Sequence, residues 1–113
     1  MTSAELHRLA DRKVLQSDSL RRDADRLRSQ AAALHGLLSP LIATSQQVWT
    51  GPAATAFEAE CALHSRQLDE QAVRIVRIAG EFEEEANALR RQAEILRAQA
   101  AALAATAIEA GVQ

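Results

Sequence analysis

Large apolar side chains recur every seven residues along both halves of the chain, and small side chains follow them four residues later. In the first half the large residues are Leu6, Leu20, Leu27, Leu34 and Leu41, with Lys13 as the exception. In the second half they are Leu68, Ile75, Phe82, Leu89, Leu96 and Leu103. A seven-residue repeat is typical of long helices that pack along a narrow apolar seam. The repeat therefore predicts an all-α fold built from long helices.

Composition supports a helical fold and excludes several classes of function. Hydrophobic residues make up 48% of the 113 residues, but aromatic residues make up only 3% and tyrosine is absent. Such an alanine- and leucine-rich chain suits packed helices better than a sheet. The net charge of -2, from 13 basic and 15 acidic residues, provides no general attraction for nucleic acid or for an anionic membrane. The length predicts a single domain, residues 1–113.

The helical pattern is interrupted at one place, around Trp49 and Gly51. Pro52 is well suited to the first position of a helix, and Gly51 can adopt backbone conformations that other residues avoid. We therefore expect a first helix over about 3–48, a turn at 49–52 and a second helix over about 53–110. A kink or a short break near 36–40 is expected because Gly36 and Pro40 fall inside the first helix.

An antiparallel hairpin follows from these two helices. The predicted seam contains Leu20, Leu27, Leu34, Leu68, Ile75, Phe82 and Leu89. A turn centred between Trp49 and Thr50 pairs Ser17 with Phe82 and Ala10 with Leu89, so that large residues meet small ones. Lys13 then approaches Glu83 and is interpreted as a residue that fixes the register. Heptad repeats alone would also permit a self-associating coiled coil.

Some apolar residues find no cover within one hairpin. Val73, Val76 and Ile78 form a second apolar group on helix 2, and Leu37, Leu38 and Ile42 widen the apolar face of helix 1. Pairing with a second hairpin would bury them, so these six residues are a hypothetical dimer interface in a four-helix bundle. The alternative is that they are scattered surface aliphatics of a monomer.

The turn carries a resemblance to a known family. Trp49-Thr50-Gly51, followed by small residues up to Phe57, resembles the WXG family of small ESAT-like proteins that type VII secretion systems export from actinobacteria and Firmicutes. The similarity covers the hairpin from about Leu6 to about residue 95. It implies dimerisation with itself or with a paralogous hairpin, and display of Trp49 and Gly51 to the secretion ATPase or alongside a larger substrate.

One element of the family pattern is missing. The second half of the family's export signal is a Tyr or Phe followed four residues later by Asp or Glu. Here Phe57 is followed by Cys61 and Phe82 by Ala86 at that spacing. The resemblance therefore implies either that a partner carries this signal or that the chain assists the export of another protein.

Export of this kind would need no cleavable signal peptide, and residues 1–20 show none of the features of one. No apolar run approaches the length that spans a membrane. The sequence thus predicts a protein made in the cytoplasm and secreted by another route, without membrane insertion.

Candidate catalytic chemistry is absent from the sequence pattern. Cys61 and His64 share a helical face, but two ligands do not make a metal site, and a packed thiol is the expected role of Cys61. No nucleophile, base and orienting group converge, so we expect neither an enzyme nor a cofactor.

Trp49 has two possible roles, plugging the end of a bundle or being recognised there. The alternative function is a non-exported helical adaptor or coiled-coil scaffold.

Overall fold

The computed structural model describes residues 1–112, and these residues contain α-helix and no strand. Helix α1 spans Ser3–Leu34, α2 spans Ser39–Val48 and α3 spans Pro52–Val112. The described chain is therefore all-α, as its alanine- and leucine-rich repeat predicts. The prediction of a single domain stays a prediction.

The start of α1 and the break before α2 follow from local chemistry. Thr2 caps α1, since its Oγ1 accepts a hydrogen bond of 3.1 Å from the backbone N–H of Glu5. Gly36 has a φ of 72°, in the left-handed region, and lies between α1 and α2. Pro40 is the second residue of α2, where the lack of an N–H group leaves no intrahelical bond unmade. Of the two expected possibilities, a kink or a short break, the structure shows the short break, between Leu34 and Ser39.

The second break is the turn at Trp49, Thr50 and Gly51. Trp49 is extended and its backbone N–H donates to the carbonyl of Ser45 over 3.0 Å, which closes the end of α2. Gly51 has a φ of 107°, a backbone conformation that residues with a Cβ atom rarely adopt. Its carbonyl accepts a 3.1 Å bond from the backbone N–H of Thr55, so it starts the hydrogen bonding of α3.

The chain divides into two compact units. Unit 1 contains Met1–Ala24 and α3 from Gly80 onward, and unit 2 contains Asp25–Ala79. Two buried or partly buried hydrogen bonds fix the antiparallel pairing of α1 and α3 in unit 1. Ser3 Oγ donates to the carbonyl of Ala100 over 3.0 Å, and Ser17 Oγ donates to that of Ala86 over 2.9 Å. Each unit is consistent with an antiparallel helical hairpin.

The core of unit 1 is a line of small side chains, here called the alanine row. Its members are spaced seven residues apart on each helix and comprise Ser3, Ala10, Ser17, Ala86, Ala93 and Ala100. The two hydrogen bonds place Ser3 at the level of Ala100 and Ser17 at the level of Ala86, so Ala10 lies at the level of Ala93. Apart from Ser3, which is half-buried, these residues are buried. Small residues therefore meet small residues, and the helix backbones approach closely.

The observed register differs from the predicted one by four residues of α3, about one helical turn. The prediction placed Ser17 opposite Phe82 and Ala10 opposite Leu89, with large residues filling the space beside small ones. It was wrong because it counted residues from the turn without allowing for the residues that the break between Leu34 and Ser39 takes out of the helix. With Ser17 at the level of Ala86, the large residues lie beside the alanine row instead of interlocking with it.

Unit 2 continues the same heptad positions and ends at the turn. Ala31 of α1 and Ala72 of α3 are buried, and His35 Nδ1 lies 2.9 Å from Asp69 Oδ1. Nearer the turn, the buried residues are Ser45 on α2 and Ala54 and Cys61 on α3. Cys61 is thus a packed thiol, in the position expected for a core residue.

Two buried serines allow the stability contribution of a hydrogen-bonded hydroxyl to be compared with that of an unpaired one. Ser17 Oγ is hydrogen-bonded to Ala86, whereas Ser45 Oγ is buried without a hydrogen-bond partner in the part of the chain that the structure describes. A buried hydroxyl without a partner carries a desolvation cost. We expect Ser45→Ala to raise the free energy of unfolding by about 1 kcal/mol and Ser17→Ala to lower it by about 1 kcal/mol. Urea unfolding of both variants measures the difference, and equal effects would contradict it.

Candidate partner-binding site

One side of unit 1 is apolar and incompletely covered. We call it the apolar flank and define it as Leu6, Leu9, Leu20, Phe82, Leu89 and Leu96. Leu6 and Leu89 are buried, while the other four side chains are half-buried. The alanine row brings the helices together without using the outer surfaces of these large residues. A row of half-buried leucine and phenylalanine side chains is the kind of surface that a partner covers.

The opposite side of unit 1 is charged, and we call it the charged flank. Arg90 lies 2.7 Å from Asp18, and Arg97 lies 3.3 Å from Asp11. Arg21 also donates to the side-chain oxygen of Asn87 over 2.6 Å. These pairs are largely exposed, so each contributes only about 0 to 1 kcal/mol to stability. Their main effect is to make the two sides of unit 1 chemically different.

Lys13 is the one charged residue at a large position of the α1 heptad repeat. It is half-buried, and its Nζ donates to Gln92 Oε1 over 2.9 Å. Its partner is therefore Gln92 rather than the predicted Glu83. Beside it lies a shallow groove of about 220 Å³, lined by Leu9, Lys13, Gln92, Ile95, Leu96 and Gln99. Lys13 thus places a cation beside the apolar flank, at the edge of an open groove.

Unit 2 carries large residues at the same heptad positions. Leu27 and Leu34 on α1, and Leu68 and Ile75 on α3, are half-buried like their counterparts in unit 1. Ile78 is exposed and lies one helical turn from Ile75, so it extends the apolar strip on this side of α3. The seven predicted seam residues are therefore mostly surface-lining, with Leu89 as the buried one.

The structure separates the three residues predicted as one apolar group on helix 2. Val73, Val76 and Ile78 are all exposed. Val73 and Ile78 are five residues apart on a continuous helix and so point about 140° apart. Val76 shares its heptad position with Asp69, the carboxylate that contacts His35. Only Ile78 therefore lies beside the large seam residues of α3.

The predicted residues of the first helix lie around the break between α1 and α2. Leu37 is exposed in the connecting segment, and Leu38 immediately precedes α2. Ile42 lies one turn into α2, and its backbone N–H donates to the carbonyl of Leu38 over 3.0 Å. Leu38 and Ile42 are half-buried, so part of each side chain remains accessible.

Trp49 is presented at the turn of unit 2. Its ring contacts Phe57, with the ring centroids 5.5 Å apart and the planes tilted by 49°. The side chain is nevertheless 43% exposed, and its neighbour Val48 is 79% exposed. The positive φ of Gly51 lets the chain reverse immediately after the indole. Trp49 thus packs against Phe57 and remains accessible.

The sequence analysis missed the apolar flank because it assigned Leu6, Leu20, Phe82, Leu89 and Leu96 to a seam between the helices and did not consider Leu9. The sequence does contain a pattern that indicates this flank. On both helices a small residue follows each large one by four positions, so the small residues of the two helices can pack against each other and leave the large ones at the side. Within residues 1–112, no cluster of three or more metal-ligating side chains occurs. None of the helices in that range combines the length and apolarity needed to cross a membrane.

In comparisons with known proteins, no family model, no curated protein and no solved structure matches this chain.

Proposed function

We propose that this chain is a small type VII secretion substrate or co-secreted partner of the WXG kind, which acts by pairing with a second helical hairpin and displaying the Trp49 turn. The observation that carries the proposal is the accessible indole of Trp49, placed between two helices and followed by a glycine of positive φ. The indole combines a large apolar surface with an N–H donor, which makes tryptophan well suited to recognition by a partner.

The apolar flank supports the pairing half of the proposal. Its half-buried large residues run along one side of unit 1, opposite the ion pairs of the charged flank. A second hairpin laid on this flank would bury Leu20, Phe82 and Leu96 and complete a four-helix bundle. The dimer surface proposed here is therefore built from the seam residues, with Ile78 as an addition in unit 2.

Replacement of Trp49 by alanine tests the display half of the proposal. In a bacterial host with a working type VII system, we expect Trp49→Ala to abolish appearance of the protein in the culture medium. The helices should persist, because Trp49 lies outside them and makes one ring contact. Secretion is measured by immunoblotting of medium and cells, and helicity by circular dichroism.

Val48→Ala is the matched control, because Val48 is the adjacent residue and is more exposed than Trp49. It should be secreted like the unmodified chain. Secretion of Trp49→Ala at the normal level would refute a role for the indole in export. If the unmodified chain stays in the cells even with its paralogous partner present, the secretion proposal fails as a whole.

A non-exported helical adaptor is the second candidate. It is favoured by the apolar flank, which provides a partner surface without any use of Trp49. In that case Trp49→Ala would leave partner binding in the cell unchanged, and substitutions in the apolar flank would abolish it.

A further inference from the structure

Helix α2 buries little of its surface against the rest of the fold. Ser45 is its one buried residue, while Leu41 and Val48 are 51% and 79% exposed. The hydroxyl of Ser45 has no hydrogen-bond partner within residues 1–112, so this buried side chain carries a desolvation cost. Burial therefore holds α2 in place only weakly.

Polar contacts do not compensate for this weak burial. Within residues 1–112, α2 makes one side-chain hydrogen bond, from Thr44 Oγ1 to the carbonyl of Pro40 over 2.9 Å, and this bond stays inside the helix. In the same range, no side-chain hydrogen bond or ion pair joins α2 to α3. Helix α1 differs in this respect. The α1 side chains that are joined to α3 by hydrogen bonds or ion pairs include Ser3, Asp11, Lys13, Ser17, Asp18 and Arg21.

Helix α2 also lacks the features that stabilise a short helix by itself. It has ten residues, and helices shorter than about 12 to 15 residues are marginal in water without tertiary packing. Leu38 provides no side-chain cap, and there is no acidic residue in the first turn and no basic residue in the last. Gly36 and Gly51, both with positive φ, lie in the segments on either side of α2. The backbone can therefore change direction before and after this helix.

The burial of Cys61 depends on the segment that contains α2. His35, immediately after α1, contacts Asp69, and Cys61 lies eight residues closer to the turn, about 12 Å along α3. Helix α1 ends at Leu34 and so does not extend to the level of Cys61. The thiol is nevertheless buried, and the part of unit 2 that lies at its level is α2 with the connection before it.

We propose that α2 opens from α3 in a fraction of the molecules while α1 and α3 stay paired, and that this opening exposes the thiol of Cys61. Elements with little buried surface and few polar contacts open locally at a lower free energy than global unfolding requires. The same motion carries Trp49, which directly follows α2, away from Phe57. This inference goes beyond the proposed function and requires neither secretion nor pairing.

Thiol labelling of the purified chain at low concentration tests the proposal, because Cys61 is the only cysteine in the sequence. The labelling rate with N-ethylmaleimide, divided by the rate for the chain unfolded in urea, gives the fraction of molecules with an exposed thiol. We expect this fraction to exceed the globally unfolded fraction, obtained from urea titration, at least tenfold. Equal fractions would overturn the proposal, because the thiol would then be exposed only by global unfolding.

Two identical substitutions of exposed alanines identify the helix that opens. Ala43→Gly weakens α2, and Ala98→Gly weakens α3. Because glycine is unfavourable in a helix interior, we expect Ala43→Gly to raise the labelling rate about fivefold. Ala98→Gly should leave it within about twofold of the unmodified value, because the α1–α3 pairing does not open in this step.

The pattern of the two rates decides the outcome. Equal acceleration by both substitutions, acceleration by Ala98→Gly alone, or no acceleration by Ala43→Gly would each overturn the proposal. Circular dichroism shows that both variants keep their helices. Since the labelling uses the purified chain at low concentration, the inference can fail while secretion and pairing hold, and it can hold while they fail.

Discussion

Replacing Ala86 by leucine is expected to lower the free energy of unfolding by about 3 kcal/mol, at the upper end of the usual cost of overpacking a core. Ala86 is fully buried, and its carbonyl accepts the hydrogen bond from Ser17 across the alanine row. A leucine side chain there would have to push α1 away from α3, which would stretch that bond and open neighbouring layers. Guanidinium unfolding, followed by circular dichroism, measures the change.

Ala98→Leu is the control for this substitution. Ala98 lies on the same helix and is exposed, so an added leucine meets solvent. Because leucine and alanine have similar helix propensities, we expect a change of less than about 0.5 kcal/mol. Equal stability of the two variants at the same protein concentration would show that the alanine row is not tightly packed.

Leu20→Glu is expected to weaken self-association about a hundredfold or more. Leu20 is half-buried in the apolar flank, and the proposed symmetric dimer would cover it twice. Each copy would lose the burial of a leucine side chain, worth about 1.5 kcal/mol or more, and would place a carboxylate in the interface. Sedimentation equilibrium or light scattering over a range of concentrations measures the dissociation constant.

Leu15→Glu provides a control of the same residue type on the same helix. Leu15 is 67% exposed and points about 140° away from Leu20, since five residues separate them. Its substitution should leave the dissociation constant unchanged. Dissociation by both variants would point to a general loss of helix packing, and dissociation by Leu15→Glu alone would place the interface on the outer face of α1.

The sequence contains enough information for the helices and their breaks. Pro52 and Pro40 each stand at the beginning of a helix, and Gly36 and Gly51 adopt the two positive φ values that separate the helices. These are local properties of proline and glycine, so they can be predicted without knowledge of packing. The heptad spacing likewise identifies the residues that share a helical face.

The register could not be predicted in the same way. A shift of four residues along α3 keeps every side chain on nearly the same face, so the spacing alone cannot distinguish a large-to-small register from a small-to-small one. Which register forms depends on the length of chain taken up by the break around Gly36 and on the hydrogen bond from Ser17 to Ala86. This choice determines the site, because the small-to-small register leaves Leu20 and Phe82 at the surface.

The alanine row has a thermodynamic consequence for the chain as a whole. Alanine loses no rotamer freedom when it is buried, but each one also removes little apolar area from water. Much of the available hydrophobic free energy therefore remains in Leu20, Phe82 and Leu96, whose outer surfaces are not yet covered. Folding and the proposed pairing would then share one source of free energy, so the stability of the chain would rise with the concentration of a partner that covers these residues.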